Sequence, residues 1–203
     1  MCYPESDLLE ALPELQAALS ELPELKNNPH RVGLDKFLDH LASHTLRELQ
    51  EDYVLVFDRS RHHALYIFEH VYGEDRDRGS AMVDLLEEYR KYGFELGDDE
   101  LPDFLPALLE FFAHIPPADA QKLLGDAVHV INHIGKNLRT AGSPYAVVLE
   151  NIVALSPVEP QPLTEPPVRD MDEAMETFGP DVSGIEPLLK PSIQTVQFYP
   201  KSK

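Results

Sequence analysis

Tryptophan is absent from these 203 residues, and cysteine occurs once, as Cys2. A single thiol excludes an intrachain disulfide and any iron–sulfur or zinc centre held by several cysteines. It is compatible with a reducing compartment. Basic side chains are scarce: 17 Lys and Arg stand against 36 Asp and Glu, a formal net charge of −19. That balance argues against nucleic acid as a main partner, because phosphate binding needs clustered cations. It argues equally against anionic membrane surfaces. An acidic surface suits a basic partner and speeds its encounter; acidity that serves only solubility is the other reading. No apolar run approaches the roughly 20 residues of a membrane span, so no membrane insertion is expected. The start of the chain lacks the basic and apolar regions of a signal peptide, which makes the cytoplasm the expected compartment. There is no glycine-rich phosphate loop and no nucleophile–histidine–acid motif. No stretch alternates with period 2, so no sheet is expected.

What the chain does contain is helical periodicity. Leu8, Leu12, Leu15, Leu19 and Leu22 step by threes and fours, with Pro13 placed to begin a second helix in the same stretch. Asn28-Pro29 makes a cap and first turn for a helix expected to bury Val32, Phe37, Leu38 and Leu41. Thr45 and Glu48 form a capping box ahead of Leu46, Leu49, Tyr53, Val56 and Phe57. Pro102 leads into Leu105, Leu108, Leu109 and Phe112 on one face. A long helix is expected over 118–138 and a last one over 144–155. From Ser156 onward prolines cluster at 157, 160, 162, 166 and 167, the composition of a linker or extended wrap. The organisation predicted is a helical body over 1–155 and a Pro-rich linker and tail over 156–203, either mobile or docked.

The centre of the chain is Leu65-Tyr66-Ile67-Phe68-Glu69-His70-Val71-Tyr72-Gly73-Glu74-Asp75-Arg76-Asp77-Arg78-Gly79. Leu65, Phe68 and Tyr72 give one apolar stripe, and Gly73 supplies the positive φ that commonly ends a helix. A second helix then runs through Ala81 to Tyr89, ending at Gly93. By itself the charged corner reads as an inter-helix salt-bridge network. The string from Tyr66 to Leu86, however, resembles the signature LFEH-V-x-G-E-x-RDRG-x-AMVDLL of the delta-subunit assembly chaperones of respiratory nitrate reductase, within the wider TorD/DmsD group. Tyr53-Val54-Leu55-Val56-Phe57-Asp58 upstream and Glu100-Leu101-Pro102-Asp103-Phe104-Leu105-Pro106 downstream resemble two further motifs of that family, in the same order. The likeness covers roughly residues 50–112, and the chain opens inside what would be the family's first helix.

The resemblance implies an all-α, TorD-like bundle of roughly eight to ten helices. It implies a chaperone and not an enzyme, with no metal and no cofactor of its own. Its partner would be the N-terminal segment of the apo catalytic (alpha) subunit of a molybdenum nitrate reductase, held for cofactor insertion and complex assembly. The chaperone would be absent from the finished enzyme. Monomers and domain-swapped dimers both fit the family. The residues implied at the client-binding surface are Tyr66, Phe68, Glu69, His70, Tyr72, Glu74, Arg76, Asp77 and Arg78, with Glu100, Pro102 and Asp103 from the downstream motif. Wider-family members carry a His where Phe104 stands, and this departure counts against the guanine-nucleotide binding ascribed to some of them. Physically, the expectation is an apolar trough beside Gly73 and Pro102, rimmed by Glu69, Glu74 and Asp77, that takes a peptide. Charge reversal at Asp103 or Asp77 is expected to weaken peptide binding and leave helical content intact. Three alternatives stay open: another molybdenum enzyme as client; a small helical hydrolase, metal-dependent or acting on nucleotides, using carboxylates with His129 and His133, which stand at i,i+4; or a helical adaptor for an unrelated partner.

Overall fold

In a computed structural model the chain divides into two units, residues 1–166 and 167–203. Residues 2–22, 30–73, 76–97 and 100–163 are described, all within the first unit. They form eight α-helices and no sheet. In order these are α1 (Ser6–Glu21), α2 (Arg31–Ser43), α3 (Leu46–Tyr53), α4 (Ile67–Tyr72), α5 (Asp77–Lys91), α6 (Leu105–His114), α7 (Pro117–Thr140) and α8 (Ala146–Ala154). α3 runs on into a π-helical turn, Val54–Asp58, and a 3₁₀ turn at Arg61–His63 precedes α4. No helix among the described residues is long and apolar enough to cross a membrane.

α7 is the axis of the bundle. Val128, Ile131, Ile134 and Leu138 step along it at helical spacing and are 0% exposed. α4, α6, α8 and the 3₁₀ turn all pack on it. Tyr53, Phe57, Leu105, Phe111, Tyr145 and Leu149 join the same core. α8 lies unusually close to its neighbours because glycines face it. A methyl at Gly33 of α2 would run into Val147, and one at Gly135 of α7 would sit 3.2 Å from the Leu149 Cβ.

The capping box is present: the Glu48 amide donates to the Thr45 hydroxyl, and the Glu48 carboxylate accepts from the Thr45 N–H at 2.8 Å. Gly73 ends α4 with φ 55°. Three expectations are corrected. Pro13 lies inside α1 and starts no second helix; it is exposed, so its ring meets solvent instead of a packed neighbour. Val32 is 65% exposed, and Leu34 takes the buried place on α2. Pro102 and Asp103 precede α6 in a turn instead of opening it. The Asn28-Pro29 cap falls outside the described residues.

The first part of the Pro-rich segment, 156–163, is docked along α7. Val158 lies against Gly125, the Gln161 N–H donates to His129 Nδ1 at 2.9 Å, and Leu163 packs on the core. The remainder of the tail lies outside the described residues.

Candidate functional site

α4 is only six residues long and has no capping side chain of its own. A helix that short is unstable alone, and the loop before α6 supplies what it lacks. The Leu105 N–H donates to the Leu65 carbonyl at 2.8 Å, and the Ile67 N–H donates to the Asp103 carbonyl at 3.0 Å. These bonds frame an isolated antiparallel bridge between Tyr66 and Phe104. The Asp103 carboxylate then accepts the Phe68 N–H at 3.0 Å through Oδ2. Asp103 thus does for α4, from 35 residues away, what an N-cap residue normally does locally. The downstream motif holds the start of the central one.

Asp103 is 0% exposed. Burial raises its pKa above the ordinary carboxylate value, against the lowering effects of the Phe68 N–H and the Arg78 guanidinium. Arg78 lies 3.9 Å from Oδ2, an ion pair without a hydrogen bond. Oδ1 has no hydrogen-bond partner among the described residues. The Tyr89 hydroxyl fixes the same loop by donating to the Pro102 carbonyl at 3.2 Å.

His70 is also interior. It is 7% exposed, and its Nε2 lies 2.8 Å from the Ala64 carbonyl. A carbonyl only accepts, so Nε2 carries the proton. The His133 ring stands 5.7 Å away. Burial, with His133, His62 and His63 nearby, lowers the His70 pKa from 6.5 to about 4, and the bond to Ala64 opposes the shift. The folded chain therefore resists a proton that the unfolded chain accepts. The contribution is nil above pH 6.5 and destabilises progressively as pH falls from 6.5 towards 4. The full shift corresponds to about 3 kcal/mol. Urea titrations over that range should show His70→Gln losing less stability on acidification than the parent. Asp103, with its raised pKa, acts in the opposite sense and gains relative stability on protonation.

Beside this clamp the surface opens into an apolar cleft of about 280 Å³. One wall is the outer face of α4, with Phe68, Val71 and Tyr72. Leu85 comes from α5, Leu108 and Phe112 from α6, and Leu123, Asp126, Ala127 and Val130 from α7. Phe68 and Tyr72 meet edge to face at 5.5 Å.

The residues singled out from sequence thus separate into groups. Phe68 and Tyr72 line the cleft. Pro102, Asp103 and Arg78 build the clamp beside it, and Asp103 and His70 are buried. Tyr66 is 37% exposed and stacks on Phe104 at 5.3 Å, away from the cleft lining. Glu69 is half-buried, while Arg76 and Asp77 are exposed. Glu100 borders a separate hollow with Phe94, Glu95, Glu110 and His114. Glu74 lies outside the described residues. The trough adjoins α4 up to Tyr72, but neither Pro102 nor the expected rim of Glu69 and Asp77 lines it. Among the described residues, the carboxylate that does is Asp126. Sequence reading missed the α7 wall, although Leu123, Asp126, Ala127 and Val130 share one helical face. His129 and His133 turn to different partners, Gln161 and Asn137. No group of three or more His, Cys, Asp or Glu is placed to hold a metal among the described residues.

Fold and cleft together define an all-α bundle that keeps an apolar channel open between four of its helices. Its sequence matches the profile of the nitrate reductase delta subunit family over residues 6–149, and the chain belongs to that family. A nitrate reductase molybdenum cofactor assembly chaperone, NarJ, from Escherichia coli K12 is 37% identical over 155 residues, which is 76% of this chain and 65% of that protein. A Bacillus subtilis 168 protein named "Probable nitrate reductase molybdenum cofactor assembly chaperone NarJ" is 29% identical over 154 residues, 76% of this chain and 82% of its own length. The chain therefore spans a little under two thirds of the Escherichia coli relative it matches.

Proposed function

We propose that this chain is a dedicated cytoplasmic chaperone of a molybdenum nitrate reductase. It binds the N-terminal segment of the apo catalytic subunit and holds that subunit for cofactor insertion and complex assembly. The observation that carries this reading is the open cleft, lined by apolar side chains from four helices, with Val71 exposed and Phe68, Tyr72, Leu85 and Phe112 half-buried along it. A groove walled by helices suits an amphipathic helix presenting apolar side chains at i, i+3 and i+4. The names of the relatives give the client class, and the net charge of −19 favours a basic segment. No bond is made or broken by the chaperone in this reading. Calorimetric titration with a synthetic peptide of the catalytic subunit's N-terminus should show saturable one-site binding, and co-expression should let the chain capture the full subunit. Loss of capture when that segment is deleted supports the proposal. Undiminished capture without it would place recognition elsewhere.

A further inference from the structure

Among the described residues, one lining the cleft is charged. Leu123, Asp126, Ala127 and Val130 form its α7 wall, and three of these four are apolar. Asp126 stands at the position where that stripe would carry another hydrophobe. Its carboxylate has no ion pair or hydrogen bond among the described residues. Among the described residues, every other one lining the cleft is uncharged, from Phe68 and Tyr72 to Leu85 and Phe112.

The consequence concerns what enters. Asp126 is exposed at the edge of the cleft, and an apolar segment seated here would take part of the water from its carboxylate without offering it a partner, which is unfavourable. A segment carrying Lys or Arg beside its apolar anchors would instead pair with it. The cleft, at about 280 Å³, lies at the lower edge of the range for small-molecule pockets, so it suits a few anchoring side chains of a longer chain. We propose that Asp126 sets the specificity and register of this site, selecting an amphipathic helical peptide with a Lys or Arg within one turn of its apolar anchors. The inference rests on the reading of the cleft as the client site. Asp126 rejects purely apolar helices as much as it attracts basic ones, the two halves of specificity.

The test is a calorimetric double-mutant cycle using the synthetic N-terminal peptide of the catalytic subunit. One set of peptides replaces each Lys or Arg singly by Gln. The chains compared are the parent and Asp126→Asn, an exposed position on a long helix where the amide keeps the shape. Asp126→Asn is expected to bind the parent peptide about tenfold more weakly, with a shallower dependence on salt. One Gln peptide should show the same loss with the parent chain and no further loss with Asp126→Asn. Asp126→Lys should recover affinity for the peptide carrying Glu at that one position. Equal affinity of parent and Asp126→Asn for the parent peptide would overturn the inference while leaving the chaperone reading in place. So would losses that simply add for every Gln peptide. Absence of any binding by the parent chain would overturn both.

Discussion

Asp103→Lys should unfold the centre of this protein well before the parent in urea, with the midpoint lowered by on the order of 1–2 M. The side chain is 0% exposed and sits between the first turn of α4 and Arg78. A lysine there removes the acceptor for the Phe68 N–H and buries a cation beside a guanidinium. Breaking a buried ion pair in this way costs about 3–5 kcal/mol. Asp103→Ala loses the cap without adding a charge and should cost about 1–2 kcal/mol. Asp103→Asn keeps an acceptor oxygen and should be the mildest of the three. Equal midpoints for Ala and Asn would show that the carboxylate is not acting as the cap of α4. Charge reversal at this residue, which sequence alone presents as a probe of peptide binding, therefore reports on folding.

The largest effect on binding is expected from plugging the cleft. Ala127 lies on its α7 wall and is 8% exposed, with the open channel in front of it. Ala127→Phe would place an aromatic ring where a client's anchor goes. Losing a central anchor costs about 2 kcal/mol or more, roughly a thirtyfold loss of affinity. The new ring fills existing space, so helical content and the urea midpoint should stay near the parent's. Val83→Asp on α5 serves as the control, since Val83 is 53% exposed and does not line the cleft. The client peptide should bind it as it binds the parent. Tight binding by Ala127→Phe would move the site to another part of the surface.

The helices were largely legible because their signals are local. A Thr-x-x-Glu pair opens α3, a leucine ladder marks α1, and an apolar stripe runs the length of α7. Each follows from backbone geometry within a few residues. The site was legible only in part because its determinants are not local. Phe68, His70 and Tyr72 share a six-residue helix, and only the placement of α7 decides that His70 faces inward while the two aromatics face the channel. Asp103 looked like an acid of the client-binding surface. Its role as a cap depends on a partner 35 residues earlier, a distance no periodicity can reveal. Asp126 was lost among abundant carboxylates, because a charge is informative only once its apolar surroundings are known.

The glycine contacts described above set where the bundle can give. With Gly33 and Gly135 letting Val147 and Leu149 seat flush, α8 is wedged between α2 and α7 and has no slack to slide. α5 is the opposite case, a 15-residue helix in which only Tyr89 is buried. Hydrogen exchange should accordingly be slowest at the α7–α8 seam and faster along α5, as along α1, where only Leu12 is buried. The thinly anchored wall of the channel is then the one that contributes Leu85, held to the rest of the bundle through Tyr89.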